Sequence, residues 1–301
     1  MLKNKPKVVV LLATFNGEAY LKAQLNSIKH QSDVEIFIVA SDDQSNDSTP
    51  QLLTEACAVD HNFIVLPKVK LGSAAANFFR LLRDVDLSHI DYVALSDQDD
   101  IWHEDKLSCA VEIILAKKID AYSSNVTAFW SNGSQALINK AQVQRQWDYL
   151  FESAGPGCTF VITKSLALVL QDFLVKHQVV CQSIALHDWF IYAFARSRGY
   201  QWFIDDEPHI LYRQHAGNEI GANVGVKAKL ARLKKLREGW LVKQALLIAE
   251  ILGYSDAWPI QKLKRYNFFD RLALIINISK LRRRLRDRVA LALFLLLPLK
   301  K

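Results

Sequence analysis

Cysteine is scarce in this chain. Its 301 residues hold four, Cys57, Cys109, Cys158 and Cys181, and no two stand in CxxC spacing. That argues against a thiolate zinc site and against a disulfide framework, and leaves free thiols in a reducing compartment. A signal peptide is not expected either. Met1 to Lys7 is basic, but the apolar run Val8 to Ala13 is short and opens onto polar Thr14 and Asn16. Without secretion, the N-x-[ST] matches at Asn46, Asn125, Asn132 and Asn277 carry no meaning. Internal repeats are absent, and the longest apolar stretch near the C-terminus, Val289 to Leu297, is about half of the roughly 20 residues a bilayer span needs.

What is present is the composition of a folded protein. Half of the residues are hydrophobic and 23% are charged, enough for one large domain or a core domain with an appendage. The net charge of +7 hides a division. Of 38 Lys+Arg and 31 Asp+Glu, 19 and 5 fall in 227–301, leaving 19 and 26 for the rest. An acidic body thus carries a basic tail, which suits an anionic surface.

The first hundred residues alternate in period. Val8–Ala13, Val34–Ala40, Phe63–Leu66 and Tyr92–Ser96 read as buried strands. Glu18–His30, a stretch from Pro50, and Ala74–Arg83 read as helices between them. This alternation predicts an α/β fold with right-handed crossovers and a mostly parallel sheet, whose ligand sits beyond the carboxyl ends of the strands. Three polar clusters, Thr14–Glu18, Ser41–Asp47 and Asp97–Asp100, fall at those ends. Farther on, Asp120–Trp130, Thr159–Thr163, Gln201–Ile204 and Pro208–Tyr212 read as strands, and Asp105–Leu115, Leu166–Val175 and Leu186–Arg196 as helices. Lys227–Leu252 and Gln261–Leu297 read as two helical stretches, so the expected division is a body over 1–226 and a helical basic region over 227–301.

The densest chemical signal is Ser96-Asp97-Gln98-Asp99-Asp100. Three carboxylates within four positions repel one another, and a divalent cation with oxygen ligands, Mg²⁺ or Mn²⁺, removes the repulsion. Asp100 alone also suits a helix cap. In Ser41-Asp42-Asp43-Gln44-Ser45, a carboxylate can accept the N3–H of uracil or thymine, with Asp42 the better candidate and turn chemistry the alternative. Asp188, in Leu186-His187-Asp188-Trp189, stands at the start of a helix. It reads as a general base or as a cap. Trp189 suits a sugar-stacking face or the core about equally.

These motifs, in this order, resemble the family 2 glycosyltransferases, which have the GT-A, Rossmann-like fold. Ala13-Thr14-Phe15-Asn16-Gly17-Glu18 is similar to the family's opening motif. Ser41-Asp42-Asp43-Gln44-Ser45 is similar to its base-binding loop, with Gln44 in place of a glycine. Ser96-Asp97-Gln98-Asp99-Asp100-Ile101-Trp102 is similar to its DxD motif. Tyr212-Arg213-Gln214-His215 resembles its YRQH segment, although Ala216 stands where relatives carry glycine. Within the family the resemblance is to bacterial rhamnosyltransferases of surface-polysaccharide assembly. It implies that Thr14, Asn16 and Glu18 line the nucleotide pocket, that Asp42 holds a pyrimidine, and that Asp97 faces ribose and metal. It further implies Asp99 as main metal ligand with His215 completing the shell, Arg213 on phosphate, Asp188 as base, and Gly157 with Trp189 on the acceptor side.

The expectation is an inverting, metal-dependent transfer from a nucleotide-sugar donor, such as dTDP-rhamnose, to a saccharide or lipid-linked saccharide. The basic tail is expected to rest on the inner face of the cell membrane, its arginines on anionic head groups and Val289–Leu297 in the acyl boundary. A sugar nucleotidyltransferase is the alternative enzyme, but Ala13–Tyr20 has one glycine and no Lys or Arg. A nucleic-acid-binding tail is the other alternative. The acidic body and the lack of aromatics between the arginines argue against it, so no nucleic-acid partner is expected.

Overall fold

The structure, a computed structural model, describes residues 5–215 and 239–296. The aliphatic run at Val8 forms β1 (Lys7–Thr14), followed by β2 (Glu35–Asp42), β3 (Phe63–Val65) and β4 (Tyr92–Ser96). Three helices make the crossovers, α1 (Leu21–Lys29), α2 (Thr49–Ala58) and α3 (Ala74–Asp84). Accordingly β1 pairs in parallel with both β2 and β4, and β2 with β3. The register sets Thr14 beside Asp42 and Leu12 beside Ser96, so the three polar loops emerge side by side.

The rest of the body comprises β5 (Ile101–Trp102), α4 (Lys106–Lys117), β6 (Ala121–Ser124), β7 (Val126–Trp130) and β8 (Gln135–Ile138). Then follow β9 (Val161–Thr163), α5 (Lys164–Lys176), α6 (Gln178–Cys181), α7 (His187–Ser197), β10 (Trp202–Asp205) and β11 (Ile210–Gln214). The main sheet runs β10-β6-β9-β4-β1-β2-β3, with β9 antiparallel to both neighbours. A smaller sheet runs β5-β11-β7-β8.

The strand expected over Asp120–Trp130 is in fact two strands in two sheets. Asn125 makes the division. Its Nδ2 donates to the Asp206 carbonyl, and its Oδ1 accepts the amides of Lys140 and Ala141. Two strands were unforeseen, β5 because it has only two residues and β8 because it has only four and is largely exposed.

The tail also departs from expectation. Among the described residues it forms α8 (Trp240–Ile251), inside the first expected stretch, and α9 (Trp258–Arg265), α10 (Phe268–Ile276) and α11 (Leu285–Leu296) in place of the single second one. Tyr266 is left-handed (φ 48°), and the Asn267 side chain caps α10 by accepting the Asp270 amide. Together they break the stretch read as continuous. The expected boundary at 226/227 lies outside the described residues. Val242, Ala245, Ile248 and Ala249 of α8 join the hydrophobic core formed by α3, α5 and α7 on one face of the sheet. The opposite face is covered by α1, α2 and α4.

The arginine cluster expected to face a membrane is divided. Arg283 is fully buried. It donates from Nη1 to Asp148 Oδ2 (3.0 Å), from Nη2 to the Ser153 carbonyl (2.5 Å) and from its amide to Glu152 Oε1 (2.7 Å). Arg282 pairs with Glu152 at 3.7 Å. Arg288 donates to the carbonyls of Arg282 and Arg283. Asp148 also accepts from Tyr192 Oη (3.0 Å) and faces Arg196.

Removing the guanidinium would leave buried Asp148 and Glu152 with only the longer contacts to Arg196 and Arg282. Arg283→Met is expected to lower unfolding free energy by about 3–5 kcal/mol in urea titrations, and Asp148→Asn added to it should cost less than the two separate losses combined. A loss below about 1 kcal/mol for the single variant would show the pair to be energetically idle.

Candidate active site

The first two loops are stitched together by the residues the motifs supply. Thr14 Oγ1 donates to Asp42 Oδ1 at 3.0 Å. The Ser45 amide and hydroxyl donate to the two oxygens of the same carboxylate, at 2.9 and 2.5 Å. Asn16, itself left-handed (φ 47°), accepts the Asn46 amide on Oδ1 at 2.9 Å. Glu18 Oε2 accepts the Ser48 amide at 2.9 Å. Asp42 is therefore turned into its own loop. Its neighbour Asp43 faces the cleft and accepts the amides of Leu71 and Gly72. Thr14 also lines the cleft, whereas Asn16 and Glu18 serve the stitching.

Gln98 clasps the first loop to the DxD loop. Its Oε1 accepts the Phe15 amide and its Nε2 donates to the Phe15 carbonyl, both at 2.8 Å. Gly17 leaves room for this clasp, because a Cβ would lie 2.2 Å from Gln98 Oε1 and displace it.

The acidic loop is held from β11. Arg213 donates from Nε to the Asp99 carbonyl (2.8 Å) and from its amide to Asp100 Oδ1 (3.1 Å). Its guanidinium lies 4.5 Å from each of the Tyr20 and Phe129 ring centres. The structure thus places Arg213 as a buttress between two rings rather than along the cleft wall. His215 Nε2 lies 2.7 Å from Asp99 Oδ2. Asp100 is not a helix cap, since Asp105 holds that position before α4. It is fully buried, and burial with the neighbouring Asp99 pushes its carboxyl up to about 8. Beneath it, burial pushes Lys106 down to about 7; its Nζ sits 3.3 Å over the Trp102 ring.

Asp97 could share a cation with either of two donor sets. Asp100 and Cys158 come within 4.8 Å of it in ligand atoms, but both are buried and burial drives the Cys158 thiol upward. A protonated thiol is a poor partner for a hard cation. Asp97 and Asp99 both line the cleft, and Asp99 already meets the His215 imidazole. Oxygen donors joined by one imidazole fit Mg²⁺ or Mn²⁺.

At the other end of the cleft, α7 begins at His187 with Leu186 in the cap position. Asp188 is thus inside the first turn and is not the cap. Burial pushes its carboxyl up to about 6, against the Trp189 amide, Lys140 and the Ser153 hydroxyl, which favour the ionised form. Its Oδ1 accepts the Trp189 amide at 2.7 Å. His187 stacks on Phe78 with centroids 4.0 Å apart, and burial holds its imidazole down to about 3, so it is neutral. Gly157 has a steric reason: a Cβ there would lie 2.4 Å from His187 Nε2. Trp189 is buried, donating from Nε1 to the Tyr149 carbonyl (2.9 Å).

One cleft of about 1200 Å³ joins these ends, with Thr14 and Asp43 at one side, Asp97 and Asp99 between, and Gly157 and Asp188 at the other. That exceeds the space a single drug-sized ligand needs. Asp42, Asn16, Glu18 and Arg213 support it from behind. The sequence reading missed Phe15, Asp43, Lys140, Arg284 and Arg286, which all line the cleft. Phe15 and Asp43 stood within recognised motifs, one position from the residues chosen. Lys140, Arg284 and Arg286 come from segments with no motif.

Residues 9–176 match the pattern of Glycosyl transferase family 2, and the chain belongs to that family. It is 43% identical over 288 residues to the dTDP-rhamnosyl transferase RfbG of Shigella flexneri, covering 95% of this chain and 99% of that one. The putative teichuronic acid biosynthesis glycosyltransferase TuaG of Bacillus subtilis (strain 168) is 29% identical over 38% of this chain and 44% of its own length. The fold is shared with S. aureus TarS 1-349 in complex with UDP (TM-score 0.54, 16% identity, 96% of this chain and 88% of that one). It is also shared with the mannosyltransferase PcManGT of Pyrobaculum calidifontis, in complex with GDP-Man and Mn²⁺ (TM-score 0.52, 15% identity, 98% and 86%).

Asp188 makes a stability prediction. Its carboxyl is raised in the fold, so the charged form destabilises the native state above pH 6. The penalty fades as pH falls from about 6 toward the ordinary carboxyl value. Asp188→Asn should therefore raise Tm at pH 7.5 and give no advantage at pH 4. Equal Tm at both pH values would mean that the carboxylate is well solvated.

Proposed function

We propose that this enzyme moves L-rhamnose, from dTDP-rhamnose, onto a saccharide acceptor in polysaccharide assembly, with inversion at the anomeric carbon. The observation that carries the reading is the one cleft that Asp43, Asp97, Asp99 and Asp188 line together. The 43% identity to a dTDP-rhamnosyl transferase along nearly the full length supports the choice of sugar.

Asp43 takes the role first given to Asp42, accepting the pyrimidine N3–H, while exposed Phe15 offers the base an aromatic face. Asp97, Asp99 and His215 are the residues that would hold a divalent cation, which would supply charge neutralisation for the departing nucleoside diphosphate. Arg213 keeps the acidic loop in position. Asp188 accepts the proton of the acceptor hydroxyl as that oxygen attacks the anomeric carbon from the face opposite the leaving group. A carboxyl near 6 is ionised at neutral pH and is more basic than an ordinary aspartate. Ser153 and Lys140 favour its ionised form. Neutral His187 stands beside it on the acceptor side.

The same reading places the enzyme on the cytoplasmic face of a membrane. Among the described residues no helix is long and apolar enough to cross one. Instead α10 and α11 expose Phe268, Phe269, Leu272, Ile276, Leu285, Val289, Leu293 and Leu296. This face replaces Val289–Leu297 alone as the interfacial contact. Residues 297–301 lie outside the described residues. Arg284 and Arg286 line the cleft beside Lys140, where they suit an acceptor carrying phosphate, such as a lipid-linked saccharide.

Three measurements test this function. Titration calorimetry with Mn²⁺ should show dTDP and UDP binding while GDP and CDP are rejected, with binding lost in EDTA; tight GDP binding would overturn the pyrimidine assignment. Asp188→Asn should lower kcat by roughly 10²–10⁴-fold and leave donor affinity near wild type, and the wild-type rate should fall below about pH 6. A variant turning over normally would remove Asp188 from the base role. Phe268→Ser with Phe269→Ser should weaken binding to anionic vesicles, and unchanged sedimentation with vesicles would exclude that face.

A further inference from the structure

The antiparallel register of β5 and β11 pairs Ile101 with Leu211 and Trp102 with Ile210. One step further it sets His103 opposite His209, and the His103 amide donates to the His209 carbonyl at 3.0 Å. The ring centroids are 6.5 Å apart at 77°. Asp105, just before α4, brings Oδ1 to 3.1 Å from His209 Nδ1. One donor atom from each of the three residues lies within 4.8 Å of the other two. The backbone beneath them is fixed. Gln31 donates from Nε2 to the His103 carbonyl (2.6 Å) and accepts the Leu107 amide on Oε1 (2.9 Å). None of these groups lines the cleft.

We infer that His103, Asp105 and His209 form a second metal site, for a late first-row divalent cation such as Zn²⁺. Cross-strand neighbours stand close enough for their side chains to share one ligand. Two imidazoles and a carboxylate are the donor set that Zn²⁺, Cu²⁺ and Ni²⁺ favour, whereas Mg²⁺ and Mn²⁺ favour sites with mostly oxygen donors, such as Asp97 and Asp99 of the cleft. The site therefore selects a different cation from the carboxylates of the cleft. It sits at the start of β11, whose far end carries Arg213 and leads into His215. A cation here ties that strand to β5 and to the head of α4, and acts as a clamp remote from the chemistry.

The test uses the full, untagged chain stripped with chelator, titrated with zinc chloride in excess Mg²⁺ so that the cleft carboxylates are occupied. One equivalent of Zn²⁺ should bind, with affinity at least tenfold weaker in His103→Asn and in His209→Asn. Zinc should raise the Tm of the wild type and leave that of the double variant unmoved. Co²⁺ in place of Zn²⁺ should give visible absorption only where both histidines are present. Far-UV circular dichroism and Mg²⁺-supported dTDP binding, unchanged in the variants, separate loss of the site from loss of the fold. Absence of zinc binding by the wild type, or equal stoichiometry and affinity in the double variant, would overturn the assignment.

Discussion

A guanidinium without access to water organises this molecule. Arg283 comes from the tail, yet its amide and both Nη atoms donate to the turn at 148–153 in the body. A charge buried that deeply is tolerable only when opposite charge stands against it. Asp148 and Glu152 do so, although Nε finds no acceptor, and the contact fixes both partners in place. Ser153 gives its carbonyl to Arg283, and its hydroxyl, which donates to the Gly155 carbonyl, also favours the ionised form of Asp188. The surroundings of the proposed base thus depend on a residue contributed from far along the chain. The same contact sets the neighbouring Arg284 at the cleft.

A second constraint is the crowding of acids at the carboxyl ends of β2 and β4. The fold answers it chiefly with backbone amides. Asp42 receives Ser45, Asp43 receives Leu71 and Gly72, and Asp100 receives Arg213. Only Asp97 and Asp99 face the cleft from the acidic loop. The smaller sheet matters for this reason: β11 delivers the Arg213 amide and the His215 ring to a loop that belongs to the larger sheet.

The parallel core was legible because its strands are continuous aliphatic runs and its helices carry one apolar stripe. The motif loops were legible as well, since polar clusters at strand ends have few other uses. Side-chain direction within those loops was not. Asp42 and Asp43 are chemically identical, and only the register between β1 and β2 turns the first toward Thr14 and the second toward the cleft. Arg213 read as a phosphate ligand because arginine forks onto oxyanions, and nothing local revealed that Tyr20 and Phe129 would enclose it. Arg282 to Arg288 read as one basic face. Their division between core and cleft depends on Asp148 and Glu152, more than a hundred residues away.

The tail's double engagement has an evolutionary consequence. Arg284 and Arg286 shape one end of the cleft, and the apolar faces of α10 and α11 follow or precede them within a few turns, all hung on one buried arginine. A drift in this segment alters what the cleft admits and what the outer surface touches in the same mutational step. Relatives that diverge here should change both traits together, while the strand-end loops that read the nucleotide stay free to persist unchanged.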